Sequence, residues 1–255
     1  MKVFYYTATG NSLSVAKAIG GELISIPQVD RTEDLVFSDE AIGIVFPVYH
    51  FTAPRRVQDF IRRARLDTPY LFLIGTYGNM AAGALDRVQT IAEEAGHRPS
   101  YVNQIVMLDN AVDYFDIDEQ RASLPGKKIP EHLAQIYDDI IHRRVLRASA
   151  TDRDREATLW NGKNEENVNV TLAKTYIIDD TCVLCGTCAK VCPAGNVTVT
   201  DRVEFAERCE CCFACLHNCP VGAIHVPTEK SGARWRNPNV SLAEIVRSNC
   251  QDRFL

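Results

Sequence analysis

Residues 176–226 carry one pattern twice. "YIIDDTCVLCGTCAKVCPAGNVTV" (176–199) aligns with "VEFAERCECCFACLHNCPVGAIHV" (203–226) at an offset of 27 residues. Cys182, Cys185, Cys188, Cys192 and Pro193 match Cys209, Cys212, Cys215, Cys219 and Pro220. Gly195 matches Gly222, and Val197 and Val199 match Ile224 and Val226. Each half reads Cys-x2-Cys-x2-Cys-x3-Cys-Pro between short β-like flanks, and the Pro ends its loop by fixing φ and removing a donor. Of the ten cysteines, none precedes residue 182, nine lie between 182 and 219, and Cys250 stands alone. The start, "MKVFYYTATGNS", does not read as a signal peptide. Clustered cysteines in such a chain point to metal rather than to secreted disulfides.

Three cysteines at two-residue gaps wrap one loop of chain around a cubane. The fourth follows on a helical turn and ligates the other cluster. The expectation is therefore two 4Fe–4S clusters, the first on Cys182, Cys185, Cys188 and Cys219 and the second on Cys209, Cys212, Cys215 and Cys192. Zinc could use two Cys-x2-Cys pairs. It does not account for the third close cysteine, the trailing Cys-Pro or the duplication. A c-type haem needs Cys-x-x-Cys-His, and His217 is not placed that way. The region resembles the bacterial dicluster ferredoxin fold. Cys211 is left over, aligned with Leu184, and reads as a small apolar filler. The alternatives are a group that tunes the second cluster or a spare ligand. Cys250 reads as a tail thiol.

The first 150 residues have a different texture. "KVFYY" (2–6), "AIGIVF" (41–46), "YLFLIG" (70–75) and "YVNQIVML" (101–108) are near-continuous apolar runs, and "ELISI" (22–26) is a weaker one. Such runs suit parallel strands covered on both faces. Helical patterns lie between them at 11–21, 54–64, 82–96 and 129–146. The alternation predicts an α/β fold with a five-stranded parallel sheet, which binds ligands at the carboxyl ends of its strands.

"TATGNS" (7–12) follows the first strand and leads straight into a helix. Its hydroxyls, glycine and helix-start amides suit a single terminal phosphate, and an ordinary capped turn suits the same residues. T-x-T-G-x-S after a first strand resembles the phosphate loop of flavodoxins, which hold FMN. "PVYHFTAP" (47–54) and "TYGNM" (76–80) resemble the two loops that sandwich the flavin ring in that family. The resemblance implies a flavodoxin-like, doubly wound domain. Its FMN would contact Thr7, Ala8, Thr9, Gly10, Asn11 and Ser12 in the first loop. In the second it would meet Pro47, Val48, Tyr49, His50 and Phe51, and in the third Thr76, Tyr77, Gly78 and Asn79. Asp109, Asn110 and Tyr114, after the fifth strand, are candidates for flavin-edge contacts.

The organisation expected is a flavodoxin-like domain (1–150), a polar linker (151–175), a small α+β dicluster ferredoxin domain (176–228) and a tail with a short helix (229–255). Trp160 is expected to pack part of the linker onto a domain surface. In the tail, Ser241 with Glu244 forms a capping box. The whole resembles the fused flavodoxin–ferredoxin proteins of the EFR type, which look like low-potential electron carriers, mostly from anaerobes. An electron carrier joining FMN and two clusters is one reading, with redox proteins as donor and acceptor. An FMN-dependent reductase of a small organic acceptor, fed through the clusters, is a second. His50, Tyr77, Asp109 or Tyr114 would be its proton donor. A sensing module with an empty flavin pocket is a third.

A net charge of −5 leaves no basic footprint for nucleic acid. No run of about 18 apolar residues exists to span a membrane, and a cytoplasmic location is expected. Asp179, Asp180, Glu204, Glu207 and Glu210 read as a solvated acidic surface near the clusters that could also guide a basic partner. A homodimer would serve to bring one chain's clusters to the other's flavin.

Overall fold

The structure, a computed structural model, describes residues 1–251, and at 162–170 and 172 the backbone only. The last four residues of the expected tail lie outside the described residues. Strands β1 (Lys2–Tyr5), β2 (Glu22–Ser25), β3 (Ile42–Pro47), β4 (Leu71–Tyr77) and β5 (Pro99–Val106) form one parallel sheet. Their order is β2-β1-β3-β4-β5. This is the flavodoxin-like doubly wound order, in which the strand sequence reverses between β1 and β3 and leaves a crevice beyond the carboxyl ends.

The strand composition follows from burial on both faces. Every residue of β3 is buried, and so are the first six of β4. On β1, Val3 and Tyr5 enter one core and Phe4 the other. Helices α1 (Asn11–Ile19) and α4 (Ile129–Ile141) cover the first face. Helices α2 (Arg55–Arg63) and α3 (Ala84–Glu94) cover the second. The apolar periodicity carries α4 to residue 146, but the helix stops at Ile141. Arg143 turns the chain at a φ of 49°, and Leu146 then pairs with β5 at Tyr101. A parallel ribbon of Val36–Ser38 and Arg65–Asp67 has no apolar run to announce it.

The segment read as a linker is α5 (Asp152–Ala173), a helix of 22 residues. It lacks an apolar stripe and is held by polar groups instead. Arg155 grips Asp86, and buried Thr158 accepts from the Gly83 amide at 3.1 Å. Trp160, expected to pack the segment onto a surface, is 66% exposed.

The cysteine repeat folds as two exchanged halves. β6 (Ile177–Ile178) pairs antiparallel with β9 (Ile224–His225), and β7 (Val197–Val199) with β8 (Val203–Phe205). Each ribbon thus takes one strand from each repeat. Helices α6 (Thr187–Val191) and α7 (Ala214–His217) pack together between them. The tail ends in α8 (Leu242–Asn249), which starts from the expected capping box of Ser241 and Glu244. Val191, Cys212, Ala214, Val240 and Ile245 join the core under α1, and Leu108, Val112 and Ile117 join the core of the cysteine half. The two halves therefore share apolar cores. Among the described residues, no helix is long and apolar enough to cross a membrane.

Candidate functional site

The crevice at the carboxyl ends of the sheet holds a cavity of about 440 Å³. The four loops singled out in the sequence line it, together with Asn161, Cys211 and Phe213. Thr7, Ala8, Thr9, Asn11 and Ser12 come from the loop after β1, and Pro47, Val48, Tyr49, His50 and Phe51 from that after β3. Thr76, Tyr77, Gly78 and Asn79 come from the end of β4 and its loop, and Asp109, Asn110 and Tyr114 from the loop after β5. Gly10 alone of the expected residues does not line the cavity. It sits at a φ of 96°, and a Cβ there would meet Val240 of the tail at 2.9 Å. Its role is to let the tail approach.

The first loop leaves the start of α1 open. The N-cap position of α1 is Gly10, with no side-chain cap and no acidic residue in the first turn. The capped turn with Asn11 or Ser12 does not form. Thr7, Thr9 and Ser12 are buried. Thr7 Oγ1 accepts from the Gly10 amide, and Ser12 and Thr76 share a hydrogen bond of 2.9 Å. An uncapped helix start without carboxylates, beside buried hydroxyls, attracts phosphate.

The cysteine half holds that loop from behind. Asn249 Nδ2 donates to the Thr7 carbonyl at 2.8 Å, Asn218 Nδ2 to the Ala8 carbonyl at 3.3 Å, and the Asn237 amide to the Thr9 carbonyl at 2.8 Å. Three successive carbonyls are thus tied to α8, to the end of α7 and to the tail. Asn11 is also engaged: its amide donates to the Leu108 carbonyl, and its Oδ1 accepts from Trp235 Nε1 and Asn237 Nδ2.

At the opposite end, the loop turning through His50 and Phe51 is closed by paired amide–carbonyl bonds between Tyr49 and Thr52, both 2.9 Å. Gly78 is packed so tightly that a Cβ would fall 2.3 Å from Asp109 Cα. Lys127 donates to the carbonyls of Gly78 and Met107 at 2.8 and 2.6 Å, locking the loops after β4 and β5 together. Burial pulls the Lys127 ammonium below its ordinary value, and the nearby Asp109 opposes this. Burial pushes the carboxyls of Asp109 and Asp113 up. Asp113 also lines the cavity, and its Oδ1 is buried without a partner.

The cysteines stand in two groups. Cys182, Cys185, Cys188 and Cys219 line one small cavity, bringing the last cysteine of the second run to the first three of the first. Burial pushes the Cys188 thiol up to about 11, and Cys185 and Cys219 beside it push the same way. Burial also raises Cys212 and Cys215, and each feels Cys192 and Cys209 as near charges. Backbone amides point at two sulfurs: Asn196 N–H at Cys192 Sγ (3.2 Å) and Cys211 N–H at Cys209 Sγ (3.4 Å). Among the described residues, no three His, Cys, Asp or Glu side chains converge on a single-ion site.

One expectation needs correction here. Glu210 is not on a solvated surface; it is buried, and its carboxylate accepts from the Arg55 and Arg56 amides at 3.3 Å each, at the start of α2. Cys211, read as a small apolar filler, lines the crevice cavity. Asp180, Glu204 and Glu207 are exposed.

His217, Trp235, Asn218 and Asn249 were not foreseen. His217 Nε2 donates to the Asn110 carbonyl (2.8 Å), and its Nδ1 accepts from the Trp235 amide (3.0 Å). Both bonds reach across long stretches of sequence, so no local pattern could announce them.

Residues 175–198 match the 4Fe-4S binding domain family (Fer4). The chain thus contains a region similar to iron–sulfur domains, and the match spans the first cysteine run. No curated relative matches the chain. Among solved structures, a candidate flavoprotein from Bacteroides uniformis is similar at 17% identity, over 41% of this chain and 88% of that one, with a TM-score of 0.33. A candidate flavoprotein from Bacteroides eggerthii is similar at 15% identity, over 50% and 97%, with a TM-score of 0.33. The Trp repressor binding protein from Bacillus subtilis is similar at 11% identity, over 42% and 83%, with a TM-score of 0.31. Likenesses of this size do not bear on function, which rests on the site itself.

Proposed function

We propose that the chain is an electron-transfer protein in which an FMN and two 4Fe–4S clusters lie within one fold, as in the fused flavodoxin–ferredoxin proteins it resembles. The observation that carries this reading is a shared cavity. The uncapped, acid-free start of α1 opens on the same space that the second cysteine run helps to enclose. Thr7, Thr9, Ser12 and the first amides of α1 would hold the terminal phosphate. The loops at 47–51, 76–79 and 109–114 would flank the flavin ring. Cys182, Cys185, Cys188 and Cys219 would ligate the first cluster, and Cys209, Cys212, Cys215 and Cys192 the second.

When bound, the clusters supply single electrons and the flavin accepts one or two, so the chain can join a one-electron pool to a flavin. The residues do the rest. The amides on Cys192 and Cys209 hydrogen-bond to sulfurs that would be ligands, which raises cluster potentials. Lys127 fixes the two flavin-edge loops, and the shared apolar cores exclude water between the halves. A second chain is not required to bring clusters and flavin together. The partners in this reading are a one-electron donor protein and an acceptor.

One observation favours a second reading, flavin-dependent reduction of a small organic acceptor. Asp109 and Asp113 line the cavity, and burial raises both toward the protonated form that could donate a proton.

Protein purified without oxygen should contain about eight irons and one FMN, the count the ligand sets imply. Zinc in place of iron, or no flavin, sinks the proposal. Turnover of an organic acceptor that stops on substitution of Asp109 would favour the reductase.

A further inference from the structure

The two cysteine runs keep one backbone course but differ in what they present. Leu184 and Cys211 occupy the same repeat position and both lie in the left-handed region, at φ 53° and 50°. Gly186 and Phe213 occupy the next such position, at φ 73° and 56°. Glycine adopts this conformation freely, whereas a bulky residue there is uncommon. A phenylalanine kept where the twin has glycine marks a side chain held by its surroundings for a reason.

The surroundings differ between the twins. Leu184 is 43% exposed, at the surface beside the first group of cysteines. Cys211 and Phe213 face inward and both line the crevice cavity. Phe213 is 4% exposed and packs with Leu108 and Val112 of the loop after β5. The residue between them, Cys212, is tied to the same loop, because Asn110 Nδ2 donates to its carbonyl at 3.2 Å.

We propose that this stretch of the second run is itself a wall of the flavin site. Phe213 then contacts the flavin, and the second cluster is the flavin's immediate redox partner within the same chain. This rests on the FMN and two-cluster reading above. The step is a one-electron exchange in which no heavy-atom bond forms or breaks. The second cluster would give up one electron and the flavin would take it. The charge-balancing proton comes from solvent. The cluster is refilled through the first cluster from a one-electron redox protein. The chain therefore has an inner cluster and an outer one, and the substitutions at the two repeat positions follow that division.

The test uses the full chain purified without oxygen. Phe213→Gly, Phe213→Leu and the control Leu184→Ala are compared with the unaltered protein for iron content, FMN dissociation constant and the rate at which pre-reduced clusters reduce the flavin. Both Phe213 variants should keep their iron, bind FMN roughly tenfold more weakly, and slow flavin reduction by a similar factor. Leu184→Ala should change neither. Should Phe213→Gly fail to fold, Phe213→Leu carries the comparison alone. Unchanged FMN affinity and rate in iron-replete Phe213 variants would overturn this inference while leaving the cofactor reading intact. An unaltered protein without FMN, or with half the iron, would overturn the cofactor reading first.

Discussion

Cys211 shows how much can turn on one side chain. By alignment it falls in the slot of Leu184, outside the four-cysteine pattern of its run, and its thiol hydrogen-bonds with Cys209. Leucine is accepted at that slot in the twin, at nearly the same left-handed φ, so the backbone tolerates the exchange. The cavity does not tolerate it as well, because Cys211 lines it and leucine is larger. Cys211→Leu should therefore keep the iron content of the unaltered protein while weakening FMN binding roughly 5- to 150-fold, from overpacking of about 1–3 kcal/mol. Iron analysis and an FMN titration check both parts. Loss of a cluster would make the leftover thiol a ligand; unchanged flavin affinity would return it to filler.

At the scale of elements, α8 gives a sign-definite prediction about acid. Glu244 is held well below the usual carboxylate range, at about 2, first by the Lys17 ammonium and then by the Ser241 amide and hydroxyl. A depressed carboxylate contributes stability that is fully present above its ordinary value near 4.5 and is lost as pH falls toward about 2. The group is close to solvent, so the contribution is modest. The denaturation midpoint of the unaltered protein should drop more between pH 5 and pH 2 than that of Glu244→Gln. Parallel losses would remove Glu244 from the account. This capping box was legible in the sequence because all its parts lie within four residues. The central strands were legible too, since burial on both faces demands unbroken apolar runs. Helix α5 was not, because its charges alternate without a stripe and polar contacts to Asp86 and Gly83 hold it. The four cavity loops were readable from their place after strands. The residues that brace them from the far side of the chain, Asn218, Trp235 and Asn249, were not, because asparagines and a tryptophan in a tail carry no spacing of their own.

For the whole molecule, the consequence of that bracing is linkage. The carbonyls of Thr7, Ala8 and Thr9 are held by Asn249, Asn218 and the Asn237 amide. Asn218 directly precedes Cys219, and Asn249 also donates to the Val191 carbonyl beside Cys192 at 2.9 Å. The groups that shape the phosphate loop are thus anchored to chain that the clusters would order. Loosening the cysteine half should therefore loosen the loop at 7–12, and any such coupling must run equally in reverse. Removing iron with a chelator should weaken FMN binding roughly tenfold, a coupling of about 1.4 kcal/mol. Saturating FMN should slow chelator-driven loss of iron, because a ligand that binds the folded state stabilises it. Asn249→Ala gives the same argument a local test. It removes the donor to two buried carbonyls, which costs about 1–3 kcal/mol, and it should reduce the dependence of FMN affinity on iron. FMN affinity that is equal with and without iron would mean that the halves are joined mechanically but not energetically, and that each cofactor is held by its own loops alone.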